Sequence, residues 1–125
     1  MAQATTGTNT KELVLSALDA LMKGDFEGFF AKAKPDFRII EPSYLPHGGT
    51  YVGREDFKEL GKKLSKVLSM RSVKLVSATG DSERTVLLMT GNLKANGEQR
   101  WLTEHWVVED GLIQEIRVFW SDLAE

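Results

Sequence analysis

Two glutamates and a tryptophan are the residues whose types and positions indicate chemistry in this chain. Glu41 closes a short apolar segment and is followed by a proline, while side-chain alternation places Glu104 and Trp120 on the inward, mostly apolar sides of two later segments. A carboxylate beside aromatic rings loses hydration, which strengthens it as a base for moving a proton next to a carbonyl group. These three residues therefore favour a pocket over a plain core.

Each of these residues also has a purely structural interpretation. Glu41 alternatively caps the following loop through backbone N–H groups, since perturbed carboxylates also occur in structural networks. Glu104 alternatively forms a structural ion pair with Arg38, Arg54 or another buried partner. Trp120 is either a wall of the pocket or an ordinary core residue. The sequence leaves both interpretations open for all three.

The Gly-rich loop 42–53 carries three further candidates for the mouth of a pocket, which are Tyr44, His47 and Tyr51. A lone histidine in such a loop more often has a solvated imidazole than a functional one. Tyr51 alternatively packs against the loop itself. The candidate substrate-binding residues, taken together, are Phe30, Tyr44, His47, Tyr51, Phe57, Met89, Trp106 and Trp120.

Composition limits the classes of function that remain. The chain has 125 residues, which suit one domain spanning 10–125 after a disordered tail at 1–9. Basic and acidic residues are interleaved at a net charge of −2, so a nucleic acid partner is not expected. With no cysteine and two histidines, neither a metal nor another cofactor is expected. No signal-like or membrane-length segment is visible, which predicts a cytoplasmic protein without a membrane partner.

Apolar periodicity predicts three helices followed by strands. The first helix is capped by Asn9 or Thr10 and ends at Gly24, Asp25 caps a short second helix, and the third covers 54–69. Four strands follow at 73–79, 84–94, 99–109 and 112–121, and the dipeptides Asn96-Gly97 and Asp110-Gly111 indicate two-residue hairpin turns. This order predicts an α+β domain with an antiparallel meander.

Strand parity separates two faces of the predicted sheet. The inward face is apolar apart from Glu104. Gly91 on that face favours open space, with the alternative that the space is filled by Leu87, Met89, Leu93 and Leu102. The outward face carries aromatic residues at Trp101 and Phe119, too apolar for a fully solvated surface. The sequence therefore predicts a homodimer that covers the outer sheet face.

The order of these elements and motifs resembles the nuclear transport factor 2-like superfamily, and within it ketosteroid isomerase and the SnoaL-like polyketide cyclases. The resemblance covers residues 11–122 and rests on Gly24-Asp25, Glu41-Pro42, Gly53-Arg54-Glu55 and Phe119-Trp120-Ser121-Asp122. It implies a cone-shaped fold, with three N-terminal helices packed on a strongly curved antiparallel sheet. The superfamily contains isomerases, cyclases and non-catalytic binders, so it implies no single activity.

By this resemblance Glu41 stands where the isomerase has its general base and Glu104 where it has a protonated acid that donates to the oxyanion. Ala17 stands where the isomerase has a tyrosine, which counts against the steroid reaction itself. Two functions remain: a cofactor-independent acid–base enzyme, of isomerase or cyclase type, for a small apolar carbonyl compound, polycyclic or polyketide-like; and a non-catalytic domain that binds a hydrophobic ligand or a protein. Pocket volume distinguishes them, because a closed cone holds no substrate.

Overall fold

The structure, a computed structural model, describes residues 7–121. Residues 1–6 and 122–125, with Asp122 of the C-terminal motif, lie outside the described part. The elements are α1 (Gly7–Met22), α2 (Phe26–Phe30), β1 (Ala33–Glu41), β2 (Gly49–Val52), α3 (Gly53–Leu64), β3 (Leu68–Gly80), β4 (Arg84–Leu93), β5 (Gln99–Glu109) and β6 (Leu112–Trp120). The described chain is thus an α+β protein with three helices, as predicted. None of these helices is long and apolar enough to cross a membrane.

The helix boundaries agree with the predictions in part. α1 begins at Gly7, inside the segment predicted as a tail, so the predicted cap positions lie within the helix. The cap of α2 is confirmed, because the Asp25 carboxylate accepts a hydrogen bond from the backbone N–H of Gly28 at 3.0 Å. α3 ends at Leu64, five residues before the predicted end, because Leu68 has joined β3 and pairs with Leu93. Pairing in the sheet thus overrides the helical spacing of these last apolar residues.

All six strands form one sheet in the order β2-β1-β6-β5-β4-β3. The predicted meander is present as β3 to β6. The expectation of an antiparallel sheet was wrong in one place, since β1 pairs in parallel with β6, while β2 pairs antiparallel with β1. The parallel pairing brings the C-terminal ends of β1 and β6 together, where Glu41 and Trp120 lie. The antiparallel neighbour β5 places Glu104 opposite Val118 and Leu102 opposite Trp120. One end of the sheet therefore collects the residues singled out from the sequence.

The two predicted hairpin turns have different outcomes. Asp110 and Gly111 have φ angles of 55° and 76°, as a two-residue turn with two left-handed residues requires. Asn96-Gly97 instead lies in a longer loop between β4 and β5, in which the N–H of Gly97 donates to the carbonyl of Leu93 at 2.8 Å. Asn96-Gly97 therefore correctly predicted a turn, but the predicted length of two residues was wrong.

A wide irregularity interrupts β3 next to the same end of the sheet. Ser69 pairs with Asn92 and Lys74 pairs with Thr90, so residues 70–73, here called the β3 bulge, face only Gly91. The hydroxyl of Ser72 donates to the carbonyl of Ser69 at 2.6 Å and accepts from the N–H of Asn92 at 2.7 Å. These two hydrogen bonds hold the bulge against β4.

The inward face predicted from parity is buried, including Leu87, Met89, Leu102, Trp106, Ile116, Val118 and Trp120. The expectation of open space at Gly91 was wrong. A Cβ at Gly91 would lie 3.0 Å from Cδ1 of Leu68, so the side chain of Leu68 occupies the space that the glycine leaves. Parity identifies the face of a residue, but it does not identify the neighbour from another strand that packs there.

Four phenylalanines pack together on the helical side of the sheet, and we call Phe29, Phe30, Phe37 and Phe57 the phenylalanine cluster. Phe29 lies at its centre, with ring centroids 5.4 Å from those of Phe37 and Phe57 and 5.8 Å from that of Phe30. Its edge also meets Trp106, at a centroid distance of 6.2 Å. Such edge-to-face contacts add to the apolar burial that holds α2 and α3 on the sheet.

Candidate functional site

A cavity of about 60 Å³ lies where the end of α3, the β3 bulge and the ends of β1 and β6 meet. It is mostly apolar and is lined by Glu41, Leu64, Leu68, Met70, Val73, Met89, Leu102, Glu104, Val118 and Trp120. Met70 is half exposed and marks the side that faces solvent. Of the sequence-predicted site residues, this cavity brings together Glu41, Glu104, Met89 and Trp120.

Glu104 is the acidic group whose protonation is most changed by the fold. Its side chain is partly buried, and loss of hydration raises the pKa of its carboxyl group from 4.5 to about 7, against a lowering by its hydrogen bond with Trp106. The negative charge of Glu41 raises the pKa of Glu104 further. The indole N–H of Trp106 donates to Oε1 of Glu104 at 3.0 Å. Near neutral pH, the carboxyl group of Glu104 is therefore protonated in a large fraction of the molecules.

Glu41 is buried at the end of β1, with 6% of its surface exposed. Nε2 of His47 lies 3.3 Å from Oε1 of Glu41. The solvated imidazole expected from the Gly-rich loop was wrong, because His47 is completely buried. Its ring packs against Trp120, with centroids 5.2 Å apart. The loop therefore turns inward and delivers a second titratable group to Glu41.

Buried polar atoms without a protein partner are concentrated at this place. Within residues 7–121 six buried side-chain nitrogen or oxygen atoms form no hydrogen bond. Four of them belong to the site: Oε1 of Glu41, both ring nitrogens of His47 and Nε1 of Trp120. Buried polar groups normally form hydrogen bonds within the protein. A concentration of unpaired ones is therefore typical of a functional site.

The remaining predicted residues do not line the cavity. Trp106 lies beneath it and contacts Glu104, while Tyr51 is buried and donates its hydroxyl to the carbonyl of His47 at 2.8 Å, so it packs against the loop. Phe30 and Phe57 belong to the phenylalanine cluster. Tyr44 is 65% exposed and projects into solvent.

Both structural interpretations of the two glutamates lose support. Arg38 pairs with Glu115 at 2.8 Å and Arg54 with Glu27 at 3.0 Å, so an ion pair of Glu104 with either arginine was wrong. Oε1 of Glu41 accepts no hydrogen bond from the described residues, which leaves the predicted capping of the loop without support at that atom.

Sequence reasoning missed the cavity residues Leu64, Leu68, Met70 and Val73. Leu64 and Leu68 were assigned to a longer third helix, Met70 to the connection after it and Val73 to the start of a strand. In the structure Leu64 ends α3, and the other three belong to the first part of β3. Among residues 7–121 no three His, Asp or Glu side chains are gathered as metal ligands.

Comparison with known proteins finds relatives through structure alone, since no family model and no curated protein matches the chain. An NTF2-like protein from Burkholderia xenovorans LB400 is 21% identical with a TM-score of 0.77, over 97% of this chain and 95% of that one. A Kribbella flavida DSM 17836 protein, provisionally named a ketosteroid isomerase, is 20% identical with a TM-score of 0.78, over 98% and 85%. TerC, co-crystallised with polyporic acid, is 21% identical with a TM-score of 0.74, over 90% and 91%. At these identities the likeness concerns the fold.

Proposed function

Since the chain has the nuclear transport factor 2-like fold, we propose that it is a cofactor-independent acid–base enzyme of isomerase or cyclase type acting on a small apolar carbonyl compound. One observation carries this proposal: a single cavity is lined by the carboxylate of Glu41 and by Glu104, whose pKa is raised to about 7. A carboxyl group that favours its neutral form can serve as the acid, and a second carboxyl group in the same cavity can serve as the base for the same substrate.

The reaction follows from these two roles. The neutral carboxyl group of Glu104 donates a hydrogen bond to the carbonyl oxygen of the substrate, and Glu41 takes a proton from the α carbon. The electron pair of the broken C–H bond moves toward the carbonyl and forms an enolate, whose charge the Glu104 donor stabilises. Glu41 then returns the proton to the γ carbon of a β,γ-unsaturated substrate, which shifts the double bond into conjugation with the carbonyl group, so that atoms and charge balance. General base catalysis of this kind contributes about 100- to 10,000-fold in rate.

The size of the cavity supports a short substrate over a polycyclic one. Its volume of about 60 Å³ is well below the roughly 300–1,000 Å³ of ordinary ligand pockets. A larger ligand needs the side chain of Leu68 or of Met70 to move, because both line the cavity on the side of the β3 bulge. A short enone, with one carbonyl group and a few carbon atoms, needs the smallest rearrangement.

A second candidate function is a non-catalytic domain for a hydrophobic ligand or a protein partner. The packing of Leu68 over Gly91 favours it, because this contact fills part of the space that a substrate would use. In that case the two glutamates remain as polar groups of a nearly closed interior.

Exchange of substrate protons with deuterated water distinguishes the two functions. We expect wild-type protein to exchange the γ protons of some short enone from a panel, because their removal gives the same enolate in the reverse direction, and Glu41→Gln to lose about 100- to 10,000-fold of this rate while binding is retained. Binding is followed by quenching of tryptophan fluorescence for the enones and for steroids, flavonoids and anthraquinones. Trp120→Phe serves as the control, because Trp120 lines the cavity.

Unchanged exchange in Glu41→Gln would contradict the catalytic proposal. Saturable quenching without exchange by any compound would favour the binding domain. Leu68→Ala then provides a matched variant, since removing this side chain enlarges the cavity and should strengthen the binding of the larger compounds.

A further inference from the structure

His47 contacts the proposed base Glu41 but has no role in the reaction proposed above. The imidazole is fully buried, and its Nε2 lies 3.3 Å from Oε1 of Glu41 without the alignment of a good hydrogen bond. Catalytic hydrogen bonds are often long or poorly aligned before a substrate binds. His47 itself contacts Glu41 and is not among the residues that line the cavity.

The loop between β1 and β2 is built to hold this imidazole inside. A Cβ at Gly48 would overlap the carbonyl oxygen of Pro42, so the loop can close this tightly only with glycine there. The N–H of Gly48 donates to the carbonyl of Leu45 at 2.9 Å, and the hydroxyl of Tyr51 donates to the carbonyl of His47. These contacts fix the backbone on both sides of the histidine.

A carboxylate can only accept hydrogen bonds, so the imidazole nitrogen that faces it has to carry the hydrogen. The charge of Glu41 therefore selects imidazole forms in which Nε2 is protonated. Burial makes this selection strong, because the alternative leaves two acceptors facing each other away from water.

We propose that His47 is a positioning residue for Glu41: its Nε2–H holds Oε1 of the carboxylate and leaves Oε2 directed to the substrate proton. The effect of His47 on catalysis rests on the proposed function. The hydrogen bond between His47 and Glu41 does not depend on it. The imidazole acts through Glu41 and does not touch the substrate.

The geometry is tested without any substrate, by correlating ring protons and ring nitrogens of the histidines in ¹⁵N-labelled protein. The chain has two histidines, so His105, whose ring packs on Phe119 at 5.1 Å, serves as an internal control. We expect Nε2 of His47 to carry a proton in wild-type protein, and the His47 nitrogen shifts to change in Glu41→Gln while those of His105 stay unchanged. An unprotonated Nε2 of His47, or nitrogen shifts indifferent to Glu41→Gln, overturns the proposal.

Turnover tests the consequence by rescue. The amide nitrogen of glutamine can reach the position of Nε2, so His47→Gln should keep most of the activity, whereas His47→Leu should lower kcat about 10- to 100-fold with little change in KM. His105→Gln is the matched control and should leave both unchanged.

The two proposals fail in different ways. If no substrate is turned over, the proposed function fails, while the nitrogen spectra still decide the role of His47. If Glu41→Gln abolishes turnover but His47→Leu does not lower kcat, the positioning role fails and the proposed function stands.

Discussion

The first part of β1, Ala33–Phe37, and its last residue, Glu41, belong to regions with opposite properties, here called the packed end and the polar end. At the packed end Phe37 joins the phenylalanine cluster, in which Phe29 is completely buried. At the other end Glu41 faces His47 and the cavity, and this polar end holds four of the buried polar atoms that lack a partner within residues 7–121. Trp106 links the regions, because its ring contacts Phe29 and its N–H binds Glu104.

The difference teaches which residues maintain the fold and which reduce its stability. Burial of apolar rings in good packing geometry stabilises a domain. Burial of polar groups that form no hydrogen bond lowers its free energy of unfolding. A protein keeps such groups when they serve an activity, and it compensates for them elsewhere. The phenylalanine cluster is the region that compensates here.

The largest effect is expected at the packed end. Phe29→Ala should lower the free energy of unfolding by about 3–5 kcal/mol, because it removes a fully buried ring that contacts three other phenylalanines and Trp106. Urea unfolding followed by circular dichroism measures the loss. Phe26→Ala is the matched control: Phe26 is half exposed and its ring meets that of Phe57, so its loss should be much smaller. Equal losses in the two variants would contradict the assignment of stability to the cluster.

At the polar end we expect a substitution to raise the free energy of unfolding, by an amount that depends on pH. The pKa of Glu104 is about 7 in the folded protein against an ordinary 4.5, so the folded state keeps a proton that the unfolded chain releases. Stability from the neutral acid is complete below pH 4.5 and falls as the pH rises to about 7, by about 3 kcal/mol in total. Glu104→Gln stays neutral and lacks this loss, so it should gain that amount relative to wild type between pH 4 and pH 8.

Urea unfolding at several pH values measures this gain. Glu59→Gln, on the exposed side of α3, is the control and should follow the wild-type pH dependence. If Glu104→Gln also follows the wild-type curve, Glu104 titrates as an ordinary surface carboxylate and the polar end loses its acid.

The packed end was easier to predict from the sequence than the polar end. The Asp25 cap and the Asp110-Gly111 turn depend on neighbours a few residues away, and both are confirmed. The inward parity of Glu104 and Trp120 also depends on local alternation alone, and both line the cavity.

What the sequence could not predict depends on contacts between distant segments. The parallel pairing of β1 with β6 has no local mark, and the four residues of β2 are too few to show a pattern. The burial of His47 requires a loop that folds back on β1, with Gly48 fitted against Pro42, and a Gly-rich composition indicates the reverse. Similarly, only the three-dimensional pairing of β3 shows that Leu68 fills the space at Gly91.

The smallest effect on the chain itself is expected on the outer sheet face, which belongs to neither end. Trp101 and Phe119 are each about half exposed there, and we propose that this face pairs two copies of the chain. Sedimentation velocity should give twice the 14.0 kDa chain mass for wild-type protein and a single-chain mass for the double variant Trp101→Ser/Phe119→Ser. Tyr44→Ser, at an exposed aromatic residue of the loop, should leave the mass unchanged. A single-chain mass for wild-type protein would contradict the pairing.

The single-chain variant also tests whether the polar end is complete within one chain. Because both substituted side chains point away from the cavity, the pH dependence of stability assigned to Glu104 should persist in this variant. Its loss would mean that the polar end is completed by a second copy.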